Sequence, residues 1–395
     1  MDPDGGEGRW QTGPMSAGAG DGDVEEVSVA SQQATERPGV VSFILTVGLA
    51  LPAGVAVLLV VNAVIDFVWI TVPDRWGSDL PALYLLAVPM MAGLVVAAAR
   101  RLPGAGGHGP LKGLSLGAID VRDYPGIIAS ILATLAGGVV LGPEVALIAT
   151  GSVVGVVVSR VTKRPTQAIP LGIAGGVAAI LALVVLAREA NSAPQASSYA
   201  FDLVDTVWAI PVAALSVAAI VLVRRLAHVW EAVVGPASRI WALVVTGAIT
   251  GLCALAFQEW ADGEARLILG SGEGSISPLL AIDSLGVLLA ALGLKAVAYV
   301  LALGSGFRGG PVFPAVFIGV AVAGSVHLAG ADASVESLTM AGIMATLAAT
   351  VSMSWKAAAA ASVLVGFAFG SWALIPAALV GGLLGRATPR LGDPG

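Results

Sequence analysis

The sequence predicts an all-α polytopic membrane protein built from two inverted-topology repeats with broken and re-entrant helices. Three observations predict it: an apolar composition, a series of apolar runs punctuated by Gly and Pro, and a pattern that returns after 168 residues. Hydrophobic residues are 57% of the 395 and charged residues only 12%, where soluble domains carry about a quarter. So few charges cannot cover a water-facing surface of this size, which excludes a soluble enzyme.

The net charge of −6 is local. Residues 1–38 hold eight acids (Asp2, Asp4, Glu7, Asp21, Asp23, Glu25, Glu26 and Glu36) against Arg9 and Arg37, and the rest of the chain carries 18 charges of each sign. That stretch, rich in Gly, Ser and Gln, buries too little apolar surface to fold alone, so 1–38 is expected to be a disordered acidic cytoplasmic tail. A single cysteine, Cys253, excludes an intrachain disulfide, and His108, His228 and His327 are too few for a His-rich metal centre. No cofactor and no nucleic-acid partner are expected. Because polar residues precede the first apolar run, insertion is expected to use the spanning segments themselves.

A helix needs about 20 apolar residues to cross the hydrocarbon. The candidate runs are Val40–Val72, Leu80–Ala99, Ile127–Leu141, Val145–Val158, Ile169–Leu186, Val207–Val223, Ile240–Phe257, Leu279–Leu303, Val312–Leu328, Met340–Val351 and Ala357–Leu384. Several are too short to cross or are broken by Gly and Pro. Such breaks are tolerated at membrane depth only where backbone is buried in protein or lines a cavity, which points to a channel or transporter. The domain organisation read from these runs is a tail (1–38), a first membrane repeat (39–230), a second (231–388) and a short C-terminal tail (389–395). Basic residues flank many runs, and placing Arg386 and Arg390 in the cytoplasm follows the positive-inside tendency.

The repeat aligns Gly142-Pro143-Glu144 with Gly310-Pro311-Val312, and Gly151 with Gly319, without a gap. The same offset carries Pro110 onto Pro278 and Gly138 onto Gly306, and Ala174-Gly175 recurs one residue out of register as Ala341-Gly342. Glycine-rich loops, 104–109 and 270–275, precede the two matched prolines. Paired halves of this kind place a substrate site near the bilayer midplane, where discontinuous helices aim their N-termini at an anion. Proline suits the first turn of a helix, and the preceding glycine lets backbone approach a ligand. The exposed N–H groups that follow Pro143 and Pro311, on Glu144-Val145 and Val312-Phe313, then favour a negative charge.

Glu144 is the only charged side chain between Tyr124 and Ser159, and it sits on the first Gly-Pro step. An intramembrane carboxylate marks a functional site by default. At a site built for anions it acts as a tethered competitor, displaced by protonation or by a mobile anion. The alternative is a carboxylate that simply caps a helix.

Gly142-Pro143-Glu144-Val145-Ala146 resembles the G-x-E-x-P element of the CLC family of chloride channels and proton/chloride antiporters. Gly309-Gly310-Pro311-Val312-Phe313-Pro314 resembles its G-x-F-x-P element, with the aromatic one place later, and Gly106-Gly107-His108-Gly109-Pro110 stands where its G-S-G-x-P element would. The resemblance runs over about residues 40–390 and implies an inverted-repeat fold, a homodimer with one pore per subunit, and a glutamate gate at Glu144. It implies an anion path lined by Gly106, Gly107, His108, Gly109, Gly142, Pro143, Val145, Gly310, Pro311, Val312 and Phe313. The expected function is passage of small inorganic anions, chloride foremost, through a multi-pass protein of the bacterial plasma membrane.

The departures bear on mechanism. Gly107 stands where the family has a serine hydroxyl, Ala146 replaces the proline after the gate, and no tyrosine follows Tyr299 to match the pore-lining one near the C-terminus. No cytoplasmic nucleotide-sensing module is expected after Gly395. The acids nearest the position of the family's internal proton carrier, Glu189, Asp202 and Asp205, flank the polar stretch 191–198 and read as solvated loop residues. A passive path is therefore expected over proton-coupled antiport, the alternative. Arg308 adds positive potential to a vestibule or snorkels to an interface. Other readings are a transporter of another substrate, a non-conducting membrane partner, and an intramembrane hydrolase using Ser305 with His108 or His327.

Overall fold

The computed structural model describes residues 38–387, apart from 76–79, 105, 115–116, 191–198, 236–239, 262 and 370. The acidic tail, the C-terminal tail and the polar stretch 191–198 thus lie outside the described residues. Helices dominate: α1 Val40–Asp66, α2 Ala82–Ala99, α3 Tyr124–Ala136, α4 Glu144–Val161, α5 Ala168–Ala190 and α6 Leu203–Val234. After them come α7 Ile240–Ala261, α8 Ile276–Leu280, α9 Leu285–Gly304, α10 Val312–Leu328, α11 Val335–Val351, α12 Trp355–Ala368 and α13 Ile375–Ala387. Among the described residues six helices are long and apolar enough to cross a membrane, and six apolar stretches are shorter. Large apolar side chains such as Phe43, Leu83, Val207 and Leu222 stand exposed on helix faces, as lipid-facing surfaces require.

Two runs break where their sequence stops favouring helix. Leu279–Leu303 divides at Asp283-Ser284, because the Ser284 hydroxyl accepts the Val287 N–H and starts α9 afresh. Ala357–Leu384 divides at Ser371, whose hydroxyl accepts the Ala373 N–H.

The halves are built alike. α4 crosses α5 where Gly151 meets Gly175, and α10 crosses α11 where Gly319 meets Gly342; at all four positions a Cβ would strike the facing backbone. Without a hydrophobic drive between helices in lipid, close packing through small residues supplies the association. The left-handed glycines also recur in register: Gly104 and Gly272 at φ +81° and +84°, Gly138 and Gly306 at +68° and +96°. Gly342→Leu is expected to separate α10 from α11 and lower the thermal unfolding midpoint by several degrees, since overpacking costs about 1–3 kcal/mol. A melt indistinguishable from wild type in detergent would show that the crossing tolerates bulk.

Candidate functional site

The site forms where two helices begin. Pro143 and Pro311 immediately precede α4 and α10 with nearly the same backbone, φ −80°, ψ −6° and φ −88°, ψ −2°. They occupy the cap position rather than the first turn, and there too the missing N–H leaves no intrahelical bond unmade. Gly142 and Gly310 bond reciprocally, each N–H donating to the other's carbonyl at 2.7 Å. This isolated antiparallel bridge brings the positive ends of two helix dipoles to one place.

Glu144 fills that place. Its side chain is buried, and Oε1 accepts the Val312 N–H at 2.5 Å. The carboxylate of one half therefore sits on the helix N-terminus of the other, with the Phe313 N–H close by. Oε2 is buried with no hydrogen-bond partner, so only one oxygen of the carboxylate is held by a hydrogen bond. A Cβ on Gly142 or Gly310 would fall onto the carboxylate, which gives both glycines a steric reason beyond punctuation. Behind this cradle Val145 packs against the buried cluster that includes Ile131 and Ala146, and Phe313 against the cluster of Leu58, Leu147 and Ala179. The arrangement holds one negative charge on backbone N–H groups and can hold another anion in its stead.

The glycine loop of the first half lies apart from the carboxylate. Gly106 is buried beside Ser130, Gly107 lies against Ile127, His108 is exposed, and Gly109 stands beside Arg308, 3.3 Å from the guanidinium to an added Cβ. Pro110, just after that loop, and Pro311 line a common open recess, with Leu111, Arg224, Tyr299 and Thr350 among the other walls. Arg308 is buried, not snorkelled to an interface, and its N–H bonds the Thr134 hydroxyl at 3.3 Å. Arg100 is near enough for the two guanidinium charges to act on each other.

Sequence reasoning passed over several residues that the fold brings here. The Tyr299 hydroxyl donates to the Pro311 carbonyl at 2.6 Å, within electrostatic reach of Glu144 and Arg224. One turn earlier on α9, the fully buried Lys295 donates to the Leu267 and Leu269 carbonyls at 2.8 and 3.2 Å and lies 4.4 Å from the Phe317 ring centre. It thereby ties the approach to the 270–275 loop onto α10. A lone lysine in an apolar run was the signal available for it. Glu273, in that loop, is near enough for its charge to act on Glu144, and burial pushes its own carboxyl up to about 7.

Two of the acids nearest the proton-carrier position have definite places. Asp202 is exposed and caps α6 through Val204 at 2.9 Å. Asp205, expected in a solvated loop, is instead buried at the start of α6. Its oxygens accept from the Tyr199 hydroxyl at 2.5 Å, the Ser334 hydroxyl at 2.5 Å and the Ser334 N–H at 2.9 Å, which fastens α6 to the start of α11. The sequence did not reveal this because Ser334 is 129 residues away. The side chain of Glu189 lies outside the described residues. For the hydrolase reading, the Ser305 hydroxyl has no hydrogen-bond partner and His327 Nδ1 pairs with the Ala333 carbonyl at 3.1 Å.

The family described as voltage gated chloride channel matches residues 180–390, more than half of the chain. The chain belongs to this family, the CLC family. Its match includes the second Gly-Pro step, Tyr299 and Arg308, while Glu144 precedes it. Likeness to solved structures extends over the first half as well. A slow cyanobacterial Cl−/H+ antiporter superposes with a TM-score of 0.67 at 15% identity, over 90% of this chain and 95% of its own. A eukaryotic CLC transporter superposes with a TM-score of 0.61 at 13% identity, over 88% of this chain and 72% of its own. At such identities the likeness establishes the fold, an all-α multi-pass membrane architecture. No curated protein matches the sequence. Members of the CLC family are channels or transporters of chloride and other anions rather than enzymes, so anion transport across a membrane is the family function.

Proposed function

We propose that this CLC protein is a passive path for small inorganic anions, chloride foremost, with Glu144 as its gate. One observation carries the reading: a buried carboxylate from one half occupies the helix N-terminus of the other, bonded to Val312 at 2.5 Å. The residues 106–109, 142–145 and 310–313 are its anion path, with Gly142, Gly310 and Val312 nearest the gate. Repeats at 39–230 and 231–388, a homodimer with one path per subunit, and a bacterial plasma membrane belong to the same reading. The passive character is supported by Asp205, whose three hydrogen bonds hold it as a structural clamp between α6 and α11. Asp205→Ala is expected to cost stability, about 1.5–3 kcal/mol for a lost bond to a charged group, without altering proton movement.

Proton-coupled exchange is the second reading, and Glu273 favours it, since a carboxyl titrating at about 7 beside the gate is suited to proton exchange. The deciding experiment imposes a chloride gradient on liposomes of purified protein and follows pH inside and out. Passive transport predicts anion flux with no stoichiometric proton movement. Steady uphill proton movement that is lost in Glu273→Gln would establish the second reading instead.

A further inference from the structure

The recess beside the gate has walls that the anion path described so far does not use. Thr350, near the C-terminal end of α11, lines it at 8% exposure, and its hydroxyl has no hydrogen-bond partner. A buried hydroxyl in a helix ordinarily bonds a carbonyl of the preceding turn, as Thr346 does with Gly342 and Ile343, so an unpartnered one calls for an explanation. Across the recess, Arg224 on α6 is the only charged residue of the lining among the described residues. One of its terminal nitrogens donates to the Ala349 carbonyl at 3.4 Å, which steers the guanidinium toward the end of α11, next to Thr350. The remaining polar wall is already committed, because Tyr299 gives its proton to Pro311. The first-half loop offers no hydroxyl, since glycine stands at 107.

We propose that Arg224 and Thr350 form a second anion site in this recess, and that it prefers a planar oxyanion such as nitrate over a spherical halide. This deepens the anion-path reading and rests on it. The preference follows from donor shape. A guanidinium presents N–H groups in a flat fork that matches two oxygens of a planar anion, and such paired bonds add geometric specificity. A halide presents no pair of atoms to that fork. Thr350 supplies a further donor for the third oxygen, which also satisfies the orphaned hydroxyl. Arg224 and Tyr299 are near enough to interact electrostatically, which puts this anion on the approach to Glu144.

The test measures nitrate and chloride binding by calorimetry on purified protein in detergent, in the Glu144→Gln background so that the tethered carboxylate does not compete. Thr350→Val, nearly the same in shape, is expected to weaken nitrate binding by about tenfold with little change for chloride. Arg224→Lys keeps the charge and the aliphatic stem but not the fork, and is expected to bring nitrate and chloride affinities to within about twofold of each other. Unchanged nitrate preference in folded Arg224→Lys would overturn the proposal, as would unchanged nitrate affinity in Thr350→Val. Failure of the gate reading appears elsewhere, as wild-type flux in Glu144→Gln at every pH.

Discussion

Glu144→Gln is expected to raise anion flux through liposomes and to flatten its dependence on pH. In the wild type, protonation removes the negative charge that holds the side chain on the Val312 N–H, so flux should rise as pH falls. Glutamine presents no negative charge at any pH and removes that response. A charge at a partly buried helix N-terminus is held by up to about 2 kcal/mol, and about 1–2 kcal/mol of released competition corresponds to about 5–30-fold. Glu144→Ala should rise further, because it also clears the space. Were Glu144 only a cap, alanine would cost about 1 kcal/mol of stability and leave the pH response intact. Folded mutants with wild-type flux at every pH would remove Glu144 from the gate. Glu273 gives the same idea a second handle. Its charge acts on Glu144 and opposes a second negative charge there, so Glu273→Gln should shift the flux–pH curve to lower pH.

Gly310→Ala should produce an open phenotype by a different route. The new Cβ would lie on the Glu144 carboxylate, and Gly310 is not among the positive-φ glycines, so alanine can keep the backbone. The side chain of Glu144 is then the part free to move. Flux is expected to rise and lose its pH dependence, with about 1–3 kcal/mol lost to overpacking. Combining it with Glu144→Ala should restore stability, because the clash then has no partner, and directly touching residues couple by about 0.5–3 kcal/mol. Thermal melts of the two single mutants and the double mutant measure this. Strict additivity would place the strain in the Gly142–Gly310 bridge rather than at the carboxylate.

Much of this was legible in the sequence because it rests on local rules. Apolar runs mark helices whatever lies next to them, and glycine before proline marks a helix start approached by other groups. The 168-residue register appears as matched glycines in the left-handed region at 104/272 and 138/306 and as matched crossings at Gly151–Gly175 and Gly319–Gly342. Asp205 was misread because its solvation depends on Ser334, and no local pattern announces a hydrogen bond across 129 residues.

By itself, then, the sequence determined a membrane-spanning helical chain, its repeat, and the singular position of Glu144, since each follows from residue type and spacing along one segment. Only the tertiary structure decided what Glu144 touches, that Gly142 and Gly310 bond to each other, and that Arg224, Tyr299 and Thr350 share one recess with Pro110 and Pro311. The physical reason is that charge and hydrogen bonding act over a few ångströms of space. Helices start and stop by local chemistry, but which of their ends meet depends on how all the small-residue crossings close together.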